Sequence, residues 1–155
     1  MKNIIVACDF SSQDEAIETI EQLKDEIFGI KVGLQYVTST GTEGVKSLLK
    51  FNLPIMYDIK ALDIRNTVVE FTKTLKNLKV SYATVHLLNG EETLKEAVKH
   101  AGNVKLIGIS VLTSFSDETL QKLGFSNNVE KQVERLVKIA SAAGLYGIVC
   151  SPKEV

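Results

Sequence analysis

Short apolar runs alternate with amphipathic segments along the whole chain. Six of these runs have the length and composition of buried strands. They cover residues 4–8, 29–33, 54–60, 82–86, 104–112 and 147–151. Between them, apolar residues recur at intervals of three and four, which is typical of helices with one buried face. Strands that are apolar on both faces and alternate with helices indicate a parallel sheet covered by helices.

Local signals at two places predict where helices begin and end. Ser12 followed by Glu15 forms a capping-box pattern, which predicts the start of the first helix. Val133 and Leu136 lie on one stripe of the last long helix, and Gly144 stands where its C-terminal cap belongs. The pattern therefore predicts β/α units from one end of the sequence to the other.

Composition narrows the class of protein. The 155 residues are 45% hydrophobic and 24% charged, which suits one globular domain and excludes a collagen-like repeat or a disulfide scaffold. The near balance of 18 basic and 19 acidic residues gives no electrostatic reason to expect a nucleic acid or a membrane surface as partner. No secretory signal is predicted, and Cys8 and Cys150 are expected to be buried free thiols in a reducing cytoplasm.

Ionisable residues stand at the ends of the first three predicted strands. Asp9 ends the first strand, Lys31 lies in the second, and Asp58 and Lys60 lie two apart at the end of the third, with Asp63 three residues further on. The carboxyl ends of parallel strands are where α/β proteins place their sites. Charges in apolar segments are costly unless they are paired. Two interpretations follow from the spacing: a structural ion-pair cluster, or an array that acts on a ligand.

The segment 58–67 reads Asp-Ile-Lys-Ala-Leu-Asp-Ile-Arg-Asn-Thr, and it resembles the signature of the orotidine 5'-phosphate decarboxylase family. Further motifs agree in order and spacing: Val-Ala-Cys-Asp at 6–9, Lys-Val-Gly at 31–33, Val-His at 85–86, Val-Leu-Thr-Ser at 111–114 and Val-Cys-Ser at 149–151. The resemblance implies an incomplete TIM-type (β/α) barrel of about six parallel strands with covering helices. It also implies a cytoplasmic enzyme of pyrimidine biosynthesis that converts the small nucleotide orotidylate to uridylate and carbon dioxide.

The resemblance implies a role for each charged residue. Lys60 would protonate C6 of the pyrimidine as carbon dioxide leaves, and Asp58 would lie beside the substrate carboxylate. Lys31 would bridge Asp58 and the ribose, and Asp9 would hold a ribose hydroxyl. A nearby ammonium can stabilise the carbanion and then donate a proton, so the reaction is expected to need no cofactor. No His or Cys cluster with ligand spacing is present, so no metal is expected.

The remaining implied site residues involve a second subunit and a loop. Because sites in the family are shared across a dimer interface, Asp63, Ile64 and Thr67 would reach into the neighbouring subunit's site, with Asp63 counted among the catalytic residues. Thr113 would contact the pyrimidine. The resemblance thus implies a homodimer or a larger assembly, and no nucleic-acid or membrane partner.

The sequence departs from the family pattern at two positions and in length. The family usually has His where this chain has Leu62, and Pro where it has Arg65, which puts a cation beside Asp63 at the expected interface. A complete eight-unit barrel typically needs about 200 residues or more. We therefore expect residues 1–155 to form a single partial barrel domain without the last two β/α units, which by the resemblance would carry the phosphate-binding loops. Such a barrel would leave strand edges unpaired.

Two other functions stay open beside the decarboxylase. The first is a catalytically inactive truncated remnant or assembly subunit of the same family. The second is a sugar-phosphate decarboxylase or aldolase of the same suprafamily, which would normally need Mg²⁺ and an acidic ligand near the second strand. The chain has Lys31 and Gln35 there, which counts against that function.

Overall fold

A single parallel sheet organises the fold. The computed structural model describes residues 2–126 and 128–154, apart from the side chain of Lys153. Six strands pair in chain order, each parallel to its neighbours. They are Ile5–Cys8 (β1), Gly29–Gly33 (β2), Ile55–Ala61 (β3), Tyr82–His86 (β4), Lys105–Ile109 (β5) and Gly147–Val149 (β6).

Helices connect consecutive strands. They are Gln13–Leu23 (α1), Leu34–Ser47 (α2), Arg65–Leu78 (α3), Glu91–Ala101 (α4), Asp117–Lys122 (α5) and Val129–Ala143 (α6). Ser12 caps α1 by accepting a hydrogen bond from the Glu15 N–H, and Gly144 ends α6 in the left-handed conformation. Both boundary predictions are confirmed.

The hydrophobic core lies between the sheet and its helices. Ile30 and Val85 of the strands pack there with Ile20 and Leu94 of the helices, and all four are fully buried. Period-two alternation turns the intervening strand residues to the opposite face. On β1 these intervening residues are exposed, as Ile5 illustrates. The helix-covered face therefore contains the core, and the inner face is more open.

The arrangement is that of an incomplete TIM-type (β/α) barrel, as expected. Six parallel strands follow one another in order, and β1 and β6 form the two ends of the sheet in the part of the chain that the structure describes. No helix among the described residues is long and apolar enough to cross a membrane.

Two local expectations are wrong. The apolar run 104–112 predicted one long strand, but β5 ends at Ile109, and residues 110–112 continue into the loop before α5. Cys150 was expected to be buried, yet it is partly exposed just after β6, whereas Cys8 is fully buried as expected. Both cysteines are free thiols.

Candidate active site

Four charged side chains meet at the carboxyl ends of the first three strands. The Lys60 Nζ lies 3.0 Å from each carboxylate oxygen of Asp58. The Lys31 Nζ lies 3.5 Å from Asp58 Oδ2 and 3.2 Å from Asp9 Oδ1, so it joins β1 to β3. These distances confirm the expectation that the four residues lie together. Their charges alternate in the order Asp9, Lys31, Asp58, Lys60. We call these four residues the charge network.

Gly33 makes room for this network at the end of β2. A Cβ atom at Gly33 would lie 3.2 Å from both Asp9 Oδ1 and Lys31 Nζ, which is closer than side chains normally approach. Glycine is the residue that permits such close packing of charged groups against the backbone. The Lys-Val-Gly motif of the sequence thus contributes space as well as a charge.

Asp58 is the most enclosed member of the network, with a side chain that is 11% exposed. Burial alone raises the pKa of a carboxyl group. At Asp58 this effect is outweighed by hydrogen bonds from Lys60 and Thr84 and by the positive charges of Lys60 and Lys31, so its pKa lies below the usual value. The carboxylate is therefore held ionised beside two ammonium groups.

A bulge in β3 brings Lys60 to Asp58. Tyr57 pairs with Ala83 and Ala61 pairs with Val85, so three residues of β3 face the single residue Thr84 of β4. Lys60 itself has a positive φ of 54°, a left-handed conformation that is uncommon for a residue with a side chain. Strained backbone of this kind clusters at functional sites. The spacing of two in the sequence predicted the shared face but not the bulge that shapes it.

The hydroxyl of Thr84 connects the parts of this bulge, and sequence reasoning missed it. Thr84 Oγ1 accepts a hydrogen bond from the Lys60 N–H and donates one to Asp58 Oδ1, both at 2.9 Å. Its side chain is fully buried. The only signal in the sequence was a hydroxyl residue inside an otherwise apolar strand.

The loop after β3 is fastened by Asn89, a second residue without a predicted role. The Asn89 Nδ2 donates to the Ala61 and His86 carbonyls, and its Oδ1 accepts from the Asp63 N–H. The Asp63 carboxylate in turn accepts from the Ile64 N–H at 2.7 Å, just before α3 begins. Among the described residues, no ion pair joins Asp63 to the charge network.

The other predicted site residues lie on the surface of this chain. Ile64, Thr67 and Thr113 are all exposed within this chain. The first two stand at the start of α3, and Thr113 lies on the loop between β5 and α5. In the part of the chain that the structure describes, the network and these three residues share no hydrogen bond.

Leu62 and Arg65, the two departures from the family pattern, are also exposed. Leu62 lies at the rim of a mainly apolar cavity of about 340 Å³ between the ends of β4 and β5 and helices α5 and α6.

His86 lines the same cavity and accepts a hydrogen bond from the Leu88 N–H through Nδ1. Burial lowers the pKa of His86, so this ring favours the neutral form. His100 pairs with Glu96 on the surface of α4.

Comparisons with known proteins match nearly the whole length of the chain. The chain is 39% identical over 156 residues to orotidine 5'-phosphate decarboxylase of Wolbachia pipientis subsp. Culex pipiens, spanning 99% of this chain and 69% of that protein. It is 38% identical to the enzyme of the same name from Dictyoglomus turgidum, spanning 98% of this chain and 66% of that protein.

Solved structures agree with these relatives. Orotidine 5'-phosphate decarboxylase from Lactobacillus acidophilus superposes with a TM-score of 0.91 at 31% identity, covering 99% of this chain and 73% of that one. The enzyme from Methanocaldococcus jannaschii, complexed with the inhibitor BMP, superposes with a TM-score of 0.83 at 27% identity, covering 99% and 71%. The model of the orotidine 5'-phosphate decarboxylase / HUMPS family matches residues 2–155, and the chain belongs to this family.

Proposed function

We propose that this chain catalyses the decarboxylation of orotidine 5'-phosphate to uridine 5'-phosphate and carbon dioxide. The observation that supports this most directly is the ion pair of Lys60 and Asp58, in which the ammonium lies 3.0 Å from both carboxylate oxygens beside a second ammonium, that of Lys31. This arrangement suits a reaction in which a carboxylate leaves the substrate and a negative charge develops on the carbon atom that carried it.

Lys60 is the proton donor in this proposal. The bond between C6 and the substrate carboxylate breaks, carbon dioxide leaves, and both bonding electrons stay on C6. The Lys60 ammonium stabilises that charge and then donates a proton to C6. Atoms and electrons balance without an external electron acceptor, so the proposed step needs no cofactor.

Asp58 and its neighbours hold the substrate in place. The Asp58 carboxylate stands beside the substrate carboxylate in the ground state, and it keeps the Lys60 ammonium oriented as that carboxylate departs. Lys31 bridges Asp58 and the ribose, Asp9 binds a ribose hydroxyl, and Thr113 contacts the pyrimidine. The close contact of Lys31 with both Asp9 and Asp58 is compatible with these roles.

The shared site of the family gives a further part of the proposal. We infer that two copies pair so that Asp63, Ile64 and Thr67 of one copy complete the site of the other. Ile64 and the neighbouring Leu62 are 73% and 53% exposed, so two large apolar side chains are available for such a contact. Two free cysteines are compatible with a reducing, cytoplasmic location.

A turnover assay tests the proposed activity. Loss of orotidylate is followed spectrophotometrically for the wild type, Lys60→Ala and the control Lys99→Ala, which removes an exposed lysine of α4. We expect turnover by the wild type and the control, and a fall of about 10²- to 10⁴-fold for Lys60→Ala, the range for loss of a general acid. A folded wild type that turns nothing over would contradict the proposal and favour an inactive member of the family.

Sedimentation tests the assembly. We expect a dimer or larger species from the wild type and weaker association for Ile64→Asp. The control Ile4→Asp changes another exposed isoleucine, which lies just before β1, and should not alter association. A wild type that sediments as a monomer of 17.0 kDa would refute the shared site.

A further inference from the structure

Thr84 on β4 presents a fully buried hydroxyl that contacts both members of the Lys60 and Asp58 pair. We propose that Thr84 is a positioning residue for the decarboxylation, because its hydroxyl holds the Asp58 carboxylate and the Lys60 backbone in the geometry that aims the Lys60 ammonium. This inference rests on the function proposed above.

The direction of both hydrogen bonds follows from the groups involved. A backbone N–H can only donate, and an ionised carboxylate can only accept. The Thr84 hydroxyl therefore accepts a hydrogen bond from the Lys60 N–H and donates one to Asp58 Oδ1, each with a length of 2.9 Å. A hydroxyl has one donor and can accept, so a single side chain satisfies both demands.

The bulge explains why a side chain is needed at this position. Regular pairing stops after Tyr57 and resumes at Ala61, which leaves the backbone between them without its ordinary ladder partners on β4. A buried N–H without a partner is costly. The Thr84 hydroxyl supplies the missing acceptor to Lys60 while Lys60 has its left-handed φ of 54°.

The same hydroxyl orients the carboxylate that faces the substrate. Asp58 Oδ1 accepts from both the Thr84 hydroxyl and the Lys60 Nζ. Without the hydroxyl, the carboxylate loses its neutral donor, and the backbone that positions the ammonium loses its support at the same time. A loss at Thr84 should therefore affect the chemical step more than substrate binding.

A pair of variants isolates the hydroxyl. Thr84→Ser and Thr84→Ala both remove the γ-methyl group, and they differ only in the presence of the oxygen. We expect Thr84→Ser to keep kcat close to that of the wild type. For Thr84→Ala we expect kcat to fall about 10- to 100-fold, the effect of losing a hydrogen bond to a charged group, with a smaller change in KM.

A titration gives a readout that does not depend on turnover. The charged groups near Asp58 are Lys60 on its own strand, Lys31 on β2 and, beyond Lys31, Asp9 on β1. Carbon-13 NMR of the carboxyl groups should show a higher pKa for Asp58 in Thr84→Ala than in Thr84→Ser, because a hydrogen bond to the ionised form is absent.

The two readouts separate this inference from the proposed function. A wild type without turnover defeats the proposed function, yet the Asp58 titration in the variant pair still decides the role of Thr84. If Thr84→Ala does not fold, Thr84→Val, which keeps the side-chain volume, is compared with the wild type, from which it differs by a methyl group in place of the hydroxyl. Equal kcat and equal Asp58 pKa in the variants with and without the hydroxyl would overturn the inference.

Discussion

The positive φ of Lys60 leads to a prediction about stability that can be separated from catalysis. We consider Lys60→Ala and Lys60→Gly, which both remove the ammonium and its contact with Asp58. They differ only in the Cβ atom. At most positions glycine is the less stable of the two by roughly 0.5–1 kcal/mol, because the unfolded chain gains freedom.

At residue 60 we expect the opposite order. With φ at 54°, a residue that has a Cβ atom pays about 1–2 kcal/mol for the left-handed conformation, and glycine does not. Subtracting the entropic cost of glycine, roughly 0.5–1 kcal/mol, leaves Lys60→Gly more stable than Lys60→Ala by about 0.8 kcal/mol at the middle of the two ranges and by about 1.5 kcal/mol at most.

Urea unfolding monitored by circular dichroism measures this difference. The control pair is Lys73→Ala and Lys73→Gly in the middle of α3, where glycine should be less stable by about 1 kcal/mol. The reasoning is refuted if glycine is the less stable substitution at both positions. Both Lys60 variants lose the same ammonium, so both should show the same fall in turnover of about 10²- to 10⁴-fold, and their stability order is read independently of activity.

Two further predictions concern pH and packing. The pKa of Asp58 is lowered on folding, so its ionised form adds stability above its unfolded value near 3.8, and this contribution disappears as the pH falls below that value. The difference in unfolding free energy between the wild type and Asp58→Asn, measured by urea titration, should therefore shrink as the pH is lowered from about 6 to about 3, and a constant difference would contradict this. Gly44→Ala should destabilise the fold by about 1–3 kcal/mol, because its Cβ would collide with the side chain of Thr40, whereas Gly147→Ala, with open space around it, should have little effect on the thermal midpoint.

The sequence predicted the charge network because its residues are unusual where they stand. Asp58 and Lys60 interrupt an apolar strand, and their spacing puts them on one face. Thr84 gave no comparable signal, since threonine is a common strand residue. Its importance comes from the bulge opposite, and a bulge depends on the pairing of two strands that are distant in the sequence.

The boundaries of elements show a similar limit. The run 104–112 continues past the end of β5 because Ser110 and Val111 are buried, and burial alone does not distinguish a strand from a buried loop. Helix boundaries were predicted better, because caps such as Ser12 and Gly144 depend on local hydrogen bonds.

Lys31 touches a carboxylate on the strand at either side of it, so three successive strands must dock in register before the pocket has its shape. Fraying of β1 would detach Asp9 and leave one ammonium unbalanced, while fraying of β6 would leave all four charges in place. The integrity of the charge network is therefore tied to β1–β4, where Thr84 also holds Asp58 and Lys60, whereas β6 can vary in sequence without disturbing the arrangement of these charges.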